Sequence, residues 1–432
     1  MSESPIILNE REARRTRAFI ARIDEMLSAH DVADPNKYEI PAEVWEMHGR
    51  ALRDTRRASA GMLEAYESIK QGRFAEAATR WKHEPGVMLI IARIARGLSQ
   101  AELAERLNMR EQQVQRYEAE RYKSISFQSL RRIALVLGVQ IGATVTEGLG
   151  ATLSALKVPP ATEIDGRQLR VIVDHARKQN WFNVAANDDI DRQNILDFIG
   201  ESTAQLGSPG LLRTGLKSLD LKDDAMLAAW RARVLQRADQ ISKELDSSFE
   251  QVNLDWVAKL VRLSVDEDGP SKAIQLCRSN GIVIVVEPQI QGLKLDGAAF
   301  LCGKTPVVGL TIRHDRVDNF WYTLLHEIGH VFLHFSCGLS SGFFDDDTDH
   351  GGMDELEREA DQFASSMLIP PERWRQSTIR ITRSAAAVEQ FAKQIGIHPA
   401  IVFGRLRRER NDYRLFSDRV GTGQVRRHIL ET

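Results

Sequence analysis

Cysteine, net charge and long apolar runs are all scarce in this sequence. Only three cysteines occur in 432 residues, and the spacing of Cys277, Cys302 and Cys337 fits neither a disulfide framework nor a four-cysteine zinc site. A reducing cytoplasm is therefore the expected compartment. The net charge is −2, so any contact with nucleic acid would have to come from a local basic surface.

No apolar segment is long enough to cross a membrane. The run GIVIVVE at 281–287 is far shorter than the roughly 20 residues that a spanning helix needs. The N-terminal MSESPIILNEREARR also lacks the basic-then-apolar order of a signal peptide. We therefore expect no membrane partner.

Helical patterns dominate the first 262 residues, and strand patterns appear only later. A linker is expected at 157–166, where KVPPATEIDG carries two prolines and a glycine. From about residue 265, AIQLCRSNGIVIVVE indicates a helix, a turn and a buried strand, and GAAFL and PVVGLTI indicate further strands. The last third is therefore predicted to be α+β.

The stretch GLSQAELAERLNMREQQVQRYEAE predicts two short helices joined by a tight turn. Ser99 and Glu102 have the spacing of a capping box, which predicts a helix from about Gln100 to Leu107. Asn108 then occupies the turn, because asparagine tolerates the left-handed conformation that a tight turn requires.

The second of these helices presents a polar outer face. Val114 and Tyr117 are expected to point inward, which leaves mainly glutamine and arginine outside. Glutamine can pair with adenine and arginine with guanine in the major groove, so this face is chemically suited to base edges. The outward residues are Glu111, Gln112, Gln113, Gln115 and Arg116.

These features resemble the lambda-repressor-like, or XRE/Cro-type, helix-turn-helix family, from LSQAELAERL to SLRRIALVLGV. The resemblance implies a double-stranded DNA operator as partner, with Gln100 binding a phosphate and four residues approaching bases. Those four are Glu111, Gln112, Gln113 and Arg116. Arg110 stands where the family usually has a serine or threonine cap, and it could instead meet a phosphate.

Charge limits how tightly one copy could bind DNA. Residues 96–132 contain eight basic and five acidic side chains, which is a modest surplus. We therefore expect a homodimer that binds two half-sites about one helical turn apart. The alternative is a small helical domain used only for protein contacts.

The stretch LLHEIGHVFLH has the spacing of a zinc-binding helix. His326 and His330 are four residues apart, so both rings can face one Zn²⁺ at about 2.0–2.1 Å. Glu327 follows the first histidine and can serve as general base toward a water molecule beside the metal.

Zinc needs a third protein ligand, which a helix predicted from DELEREADQFASSMLIPP can offer. Glu357 and Asp361 are four residues apart on one flank of its buried stripe, so we predict Glu357 as the third ligand. Asp361 would accept an N–H from a ligand histidine and orient its ring. Glu359 lies on the opposite flank and is the alternative ligand.

Other residues near this motif carry narrower expectations. Asp318 is a good N-cap for the first helix, and Gly329 predicts that another element approaches that helix closely. His334, one turn after His330, is expected to support the site, because a fourth protein ligand would close the catalytic position.

The sequence restricts the substrate path and the oxyanion donor less closely than it restricts the metal ligands. An extended substrate chain is expected along a sheet edge near Ala298–Leu301. Four side chains stay open as oxyanion donors: Tyr322, His314, His334 and His350.

Together, TLLHEIGHVFLH and ELEREADQFASSMLIP resemble the ImmA/IrrE family of bacterial metallo-endopeptidases, and the similarity extends over roughly 250–410. The resemblance implies a zincin-like fold, Zn²⁺ as cofactor and a protein substrate. Members cleave a repressor in response to DNA damage or another stress, and several carry an XRE-type domain in the same chain. Asp361 stands where many members have asparagine, and either side chain can accept the histidine proton.

We therefore predict a multidomain, mostly α protein with an all-α helix-turn-helix domain and an α+β zincin-like metallopeptidase domain. The expected parts are a helical N-terminal segment suited to dimerisation (1–80), the helix-turn-helix domain (85–146), a helical linker or sensor region (157–262) and the peptidase domain (263–432).

The predicted function is a DNA-binding transcriptional regulator whose zinc endopeptidase cleaves a regulator protein, either itself or a partner. The setting would be a stress, phage or toxin–antitoxin response. The alternative is a transcription factor or antitoxin whose zincin domain is structural or senses a ligand without turnover.

Overall fold

Helices make up most of the computed structural model, together with one small sheet. The architecture is multidomain and mostly α, as predicted. No helix among the described residues is long and apolar enough to cross a membrane. The structure describes residues 6–35, 39–81, 84–122, 125–139, 166–181, 192–199, 211–213, 224–245, 247–250, 254–303, 305–335 and 350–429.

The elements are numbered in chain order. The first helices are α1 (Glu10–Val32), α2 (Ala42–Lys70), α3 (Ala75–Arg80), α4 (Pro85–Ala95), α5 (Gln100–Leu107), α6 (Glu111–Ala119), α7 (Phe127–Val136), α8 (Gly166–Lys178) and α9 (192–199). Then come β1 (Leu211–Arg213), α10 (Asp224–Ser242), α11 (Asp255–Arg262), α12 (Gly269–Ser279), β2 (Val283–Val286), β3 (Gly297–Cys302) and β4 (Thr305–Leu310). The last helices are α13 (Val317–Leu333), α14 (His350–Leu368), α15 (Pro371–Gln376), α16 (Ala385–Ile395), α17 (Pro399–Glu409) and α18 (Arg426–Ile429).

The chain divides into two compact units. The helix-turn-helix unit contains residues 4–31 and 52–153, and the sheet unit contains 1–3, 32–51 and 154–432. The domain boundaries expected from the sequence stay predictions. The linker expected at 157–166 lies outside the described residues except for Gly166, where α8 begins.

The first helix of the helix-turn-helix motif begins as the sequence predicts. Ser99 Oγ accepts from the Glu102 N–H at 3.1 Å, and Glu102 Oε2 accepts from the Ser99 N–H at 2.7 Å. This reciprocal capping box starts α5 at Gln100. Asn108 ends the helix with φ at 53°, which is the left-handed conformation expected of it. The next helix, α6, is called the recognition helix below.

A continuous core joins the recognition helix to the elements that precede it. Val114 is buried, as predicted, and Tyr117 is half-buried beside it. The same core contains buried side chains from before α4, including Ile7, Tyr66 and Trp81. Residues upstream of the motif therefore belong structurally to this unit.

The sheet unit is organised around four strands in the order β1–β3–β4–β2. Strand β3 pairs antiparallel with β1 and with β4, and β2 pairs parallel with β4. The three later strands lie where the sequence predicts them. The first strand was not predicted, because the region 157–262 was expected to contain helices and a loop near 207–210, yet Leu211–Arg213 pairs with Gly297–Ala299.

Alternate residues of the strands face two different cores. Ile284 and Val308 lie in the core formed with α11, α12, α13, α14, α16 and α17. Val283 and Val285 face the opposite side, where α8 and α10 pack. Trp230 of α10 donates its indole N–H to the Glu287 carbonyl at 3.0 Å. Helices of the region expected to be a linker or sensor thus form a layer on the back of the sheet.

Helix α13 lies on the front of the sheet and packs against α14. Its N-cap is Arg316, so the expectation that Asp318 caps it is wrong. Asp318 instead lies in the first turn, where its carboxylate accepts from the Arg316 guanidinium at 2.9 Å and is not available to cap. A Cβ placed at Gly329 would be 3.1 Å from Phe363 Cδ1, so glycine allows the close approach of α14 that the sequence predicts.

Candidate functional site

Three side chains from α13 and α14 converge at one point. His326 Nε2 lies 3.1 Å from His330 Nε2, because the two residues are one helical turn apart. Glu357 Oε2 is 3.2 Å from His326 Nε2, and its Oε1 is 3.4 Å from His330 Nε2. Among the described residues, this is the group of histidine, cysteine or acidic side chains placed to hold a metal ion.

The spacing and chemistry of these donors fit a zinc ion. Two nitrogens that each lie 2.0–2.1 Å from a tetrahedral zinc are roughly 3.3 Å apart. The observed 3.1 Å between the two histidine nitrogens is close to that value. Two imidazoles and one carboxylate are a donor set used by catalytic zinc sites, which keep a fourth position for water or substrate.

The ring of His326 is oriented by a carboxylate from α14. Its Nδ1 lies 2.9 Å from Asp361 Oδ1, and Tyr322 Oη donates to the same oxygen at 2.7 Å. A carboxylate can only accept, so the His326 proton is on Nδ1 in the neutral ring. The lone pair of Nε2 is then directed toward His330 and Glu357, as a metal ligand requires.

The ring of His330 is oriented by a longer chain of contacts. Its Nδ1 lies 3.0 Å from His334 Nδ1, and His334 Nε2 lies 3.0 Å from Glu359 Oε2. Because Glu359 accepts from His334 Nε2–H, His334 Nδ1 is left to accept from His330 Nδ1–H. The lone pair of His330 Nε2 therefore also points to the cluster. The structure brings Glu357 to the histidine pair, whereas it places Glu359 against His334.

The titration of the cluster matches the states that a metal ligand needs. Burial lowers the pKa of His330 to about 4, which keeps the ring neutral near pH 7. Burial raises the pKa of Glu357, but the adjacent imidazoles of His326 and His330 outweigh it and lower that pKa to about 2. The carboxylate is therefore ionised and the imidazole of His330 is neutral at physiological pH.

Glu327 lies beneath strand β3 and is fully buried. A Cβ built on Gly297 would be 2.9 Å from Glu327 Oε1 and 2.7 Å from Thr323 Cγ2. Only glycine allows this approach, because real Cβ atoms essentially never come so close to other heavy atoms. Gly297 therefore sets how closely the strand covers the carboxylate, a role that sequence analysis missed.

The sheet edge expected to bind substrate is partly occupied. Strand β1 pairs with Gly297–Ala299, so the expectation of a free edge is wrong for Ala298 and Ala299. Among the described strands, none pairs with that side of β3 from Phe300 onward. Binding of a substrate near Phe300 and Leu301 stays a prediction.

The candidate oxyanion donors are placed differently from one another. Tyr322 contacts Asp361, and His334 contacts His330 and Glu359. His314 lines a cavity of about 190 Å³ together with Tyr322. His350 begins α14, and its side chain lies outside the described residues.

Most of the predicted DNA-contact residues lie exposed on the recognition helix or at its N-cap. Arg110 occupies its N-cap without a side-chain capping bond, as its departure from serine or threonine predicts. Gln113 is half-buried and donates to Tyr117 Oη at 3.0 Å. The exposed residues are Arg110, Glu111, Gln112 and Arg116.

Gln100 lies at the start of α5 but is buried. Its amide Nε2 donates to Glu118 Oε2 at 2.8 Å, and its Oε1 accepts from Asn9 Nδ2 at 3.3 Å. Its role as a phosphate ligand stays a prediction.

A buried ion pair fixes the recognition helix and was not predicted. Arg93 Nε donates to Glu118 Oε1 at 2.6 Å, and Arg93 Nη2 donates to Glu118 Oε2 at 2.8 Å. The signal was present in the sequence, because Glu118 is one turn beyond the inward Val114. Arg93 likewise interrupts the apolar run of α4.

Comparison with known families gives two matches, one in each unit. The model of the Helix-turn-helix family matches residues 89–143, and the model of the IrrE N-terminal-like domain, a peptidase family, matches residues 277–396. Residues 89–143 are therefore similar to XRE-type helix-turn-helix DNA-binding domains and residues 277–396 to IrrE/ImmA-like peptidase domains, which is the combination predicted. No curated protein and no solved structure matches the chain.

Proposed function

We propose that this protein is a DNA-binding transcriptional regulator whose zinc-dependent endopeptidase cleaves a regulator protein, itself or a partner. The setting would be a stress, phage or toxin–antitoxin response. The observation that carries the peptidase proposal is the convergence of His326, His330 and Glu357 within a few ångströms, with Glu327 next to the first histidine.

His326, His330 and Glu357 would hold the zinc ion through two imidazole nitrogens and one carboxylate. The ion, when bound, supplies a Lewis acid that makes water nucleophilic near neutral pH and polarises a peptide carbonyl. Asp361 would fix the His326 ring, so that its lone pair stays aimed at the metal position.

Glu327 would be the general base. Glu327 directly follows the proposed ligand His326 on α13, which keeps its carboxylate in the neighbourhood of the metal position. It would take a proton from the attacking water and return it to the leaving amine of the cleaved peptide. Helix α13 and strand β3 shield the Glu327 carboxylate from bulk water, in which its electrostatic interactions would be weaker.

The proposal of DNA binding rests on the exposed residues of the recognition helix. Glu111, Gln112 and Arg116 offer acceptors and donors of the kinds that read base edges. Homodimerisation stays a prediction and would supply the second half-site contact.

The peptidase proposal is tested by comparing the wild type with Glu327→Gln. Glutamine keeps the shape of the side chain but cannot take the proton, so we expect unchanged zinc content and loss of cleavage by at least about 100-fold. The substrates to try are the protein itself and the proteins encoded beside its gene, with cleavage followed by mass spectrometry.

Two outcomes would remove the peptidase proposal. One is equal cleavage by the wild type and Glu327→Gln, and the other is the absence of bound zinc in the wild type. Zinc and DNA binding without any cleavage would instead favour the alternative, a transcription factor or antitoxin with a structural or ligand-sensing zincin domain.

The regulator proposal is tested separately with DNA from upstream of the gene. We expect Arg116→Ala to weaken binding by roughly 1–3 kcal/mol if the side chain contacts a base, while zinc content stays unchanged. If the wild type retains no such fragment at low salt, the regulator proposal fails.

A further inference from the structure

A cleft of about 670 Å³ lies beside the recognition helix, within the helix-turn-helix unit. One wall is the start of α5, at Ser99 and Gln100, and a second is the recognition helix, at Glu111 and Gln115. The third wall comes from α1, more than eighty residues earlier in the chain. Residues predicted to touch DNA therefore share a concave surface with a helix that the helix-turn-helix motif does not include.

The start of α1 makes direct hydrogen bonds with the helices around the helix-turn-helix motif. Leu8 O accepts from Arg93 Nη2 at 2.5 Å, and Asn9 Nδ2 donates to Gln100 Oε1 at 3.3 Å. Ala13 is fully buried in the same core as the recognition helix. The first turns of α1 thus have a fixed position relative to the face that would meet DNA.

Two arginines of α1 line the cleft and are exposed. Arg11 and Arg15 are four residues apart, so they lie on the same flank of the helix. Neither makes an ion pair or hydrogen bond with any residue that the structure describes. The other cations that line the cleft are paired, Lys70 with Glu10 and Arg93 with Glu118.

The helix-turn-helix motif carries little positive charge of its own, so cations from α1 would strengthen its contact with DNA. Residues 96–132 have a surplus of only three basic side chains, eight against five. Three carboxylates also line the cleft: Glu10 is paired with Arg17 and Lys70, Glu12 accepts from the Leu8 N–H, and Glu111 would repel a phosphate. Unpaired guanidinium groups on the facing wall supply the positive charge that contact with a DNA backbone requires.

We propose that the first turns of α1 belong to the DNA-binding surface, with Arg11 and Arg15 contacting phosphates of the strand that passes the start of α5. This inference rests on the proposed DNA-binding function and extends it to a helix outside the motif. It assigns α1 a role in affinity for any duplex, since phosphate contacts carry no sequence information.

The test is the salt dependence of binding to a labelled duplex of mixed sequence, about three helical turns long. Full-length protein carrying Glu327→Gln is used, so that cleavage cannot deplete it. Binding is measured by fluorescence anisotropy between about 50 and 200 mM salt. For Arg11→Ala/Arg15→Ala we expect the slope of log K against log salt to become shallower by about 2, with at least about tenfold weaker binding at low salt.

Two further variants make the result specific. Arg14→Ala removes an exposed arginine from the same turn of α1 that does not line the cleft, so its slope is expected to equal that of the wild type. Arg11→Lys/Arg15→Lys keeps both charges and is expected to keep the slope. The substitutions in α1 are all at exposed positions, and circular dichroism checks that the fold is retained.

The outcomes separate this inference from the function on which it rests. If the double alanine variant has the wild-type slope, or binds more tightly, α1 does not contact phosphates and the inference is overturned. The same holds if Arg14→Ala makes the slope shallower by as much as Arg11→Ala/Arg15→Ala does. If the wild type itself does not bind the duplex at the lowest salt, the proposed DNA-binding function fails.

Discussion

His334 Nε2 lies 3.0 Å from Glu359 Oε2, and this contact sets which nitrogen of the next histidine carries a proton. His334 Nδ1 is then the acceptor for His330 Nδ1–H at 3.0 Å. Both histidines are buried, so water cannot easily replace the contact between them. The two proposed histidine ligands are therefore oriented by different partners, His326 by Asp361 directly and His330 by Glu359 through His334.

Replacing His334 should weaken zinc binding without removing a ligand. We expect His334→Leu to lower zinc affinity by roughly 10–100-fold, because His330 loses the acceptor that fixes its tautomer. His334→Asn places an amide oxygen near the position of Nδ1 and should retain most of the affinity. Competition with a chromophoric chelator measures both. Wild-type affinity in the leucine variant would show that His330 needs no such acceptor.

Substitution of the two glutamates on α14 should distinguish ligand from supporting residue. Glu357→Gln is expected to lower zinc affinity by more than about 100-fold, beyond the range of groups that only orient ligands. Glu359→Gln keeps an acceptor for His334 and should cost about tenfold or less. Metal content after dialysis gives the answer. The reverse ranking would make Glu359 the ligand and contradict the proposed site.

The candidate metal site could be predicted from helical spacing in the sequence, whereas the long-range pairing of strand β1 could not. His326, His330, Glu357 and Asp361 sit at intervals of four within two helices, so their shared faces follow from the 3.6-residue period alone. Strand β1 has three residues and pairs with β3, which begins more than eighty residues later. Nothing in its local sequence specifies that partner.

Two buried carboxylates have roles that the sequence analysis did not give them. Glu118 is bound to Arg93, 25 residues earlier, which the sequence does not place beside it. Asp318 is bound to Arg316, its near neighbour in the chain, and does not cap α13. A carboxylate is normally expected at the surface or at a helix cap, and pairing with an arginine reverses that expectation in both cases.

Adding one methyl group at Gly297 should impair cleavage while leaving zinc in place. The alanine Cβ would lie 2.7 Å from Thr323 Cγ2 and 2.9 Å from Glu327 Oε1, so the strand or the carboxylate must move. Displacement of a catalytic group by about 1 Å can cost on the order of 100-fold in rate. We therefore expect Gly297→Ala to lower kcat by roughly 10–100-fold on the substrate found with the Glu327→Gln comparison.

A control for this variant is Gly166→Ala, because a Cβ there meets nothing within 4 Å. It should keep wild-type cleavage and zinc content. Full activity in Gly297→Ala would mean that Glu327 tolerates the shift, and loss of zinc would mean that the change reaches the ligands instead.

The helical layer behind the sheet should lose stability in mild acid through His175. This residue of α8 packs edge-on against Trp181 with ring centroids 5.3 Å apart. Burial, assisted by the charge of Lys178, lowers the pKa of His175 to about 4. An unfolded histidine titrates near pH 6.5, so between these values the unfolded chain binds more protons than the folded one. The contribution to stability is therefore complete above about pH 6.5 and is lost as the pH falls toward 4.

The measurement is the free energy of unfolding of the wild type and of His175→Gln, followed by tryptophan fluorescence at about pH 7 and about pH 4.5. Allowing for partial exposure, we expect the wild type to lose about 1–2 kcal/mol more than the variant over this interval. Glutamine does not titrate, so every other acid effect is common to both proteins and cancels in the difference. An identical pH dependence in the two proteins would mean that His175 is solvated enough to keep an ordinary pKa in the folded state.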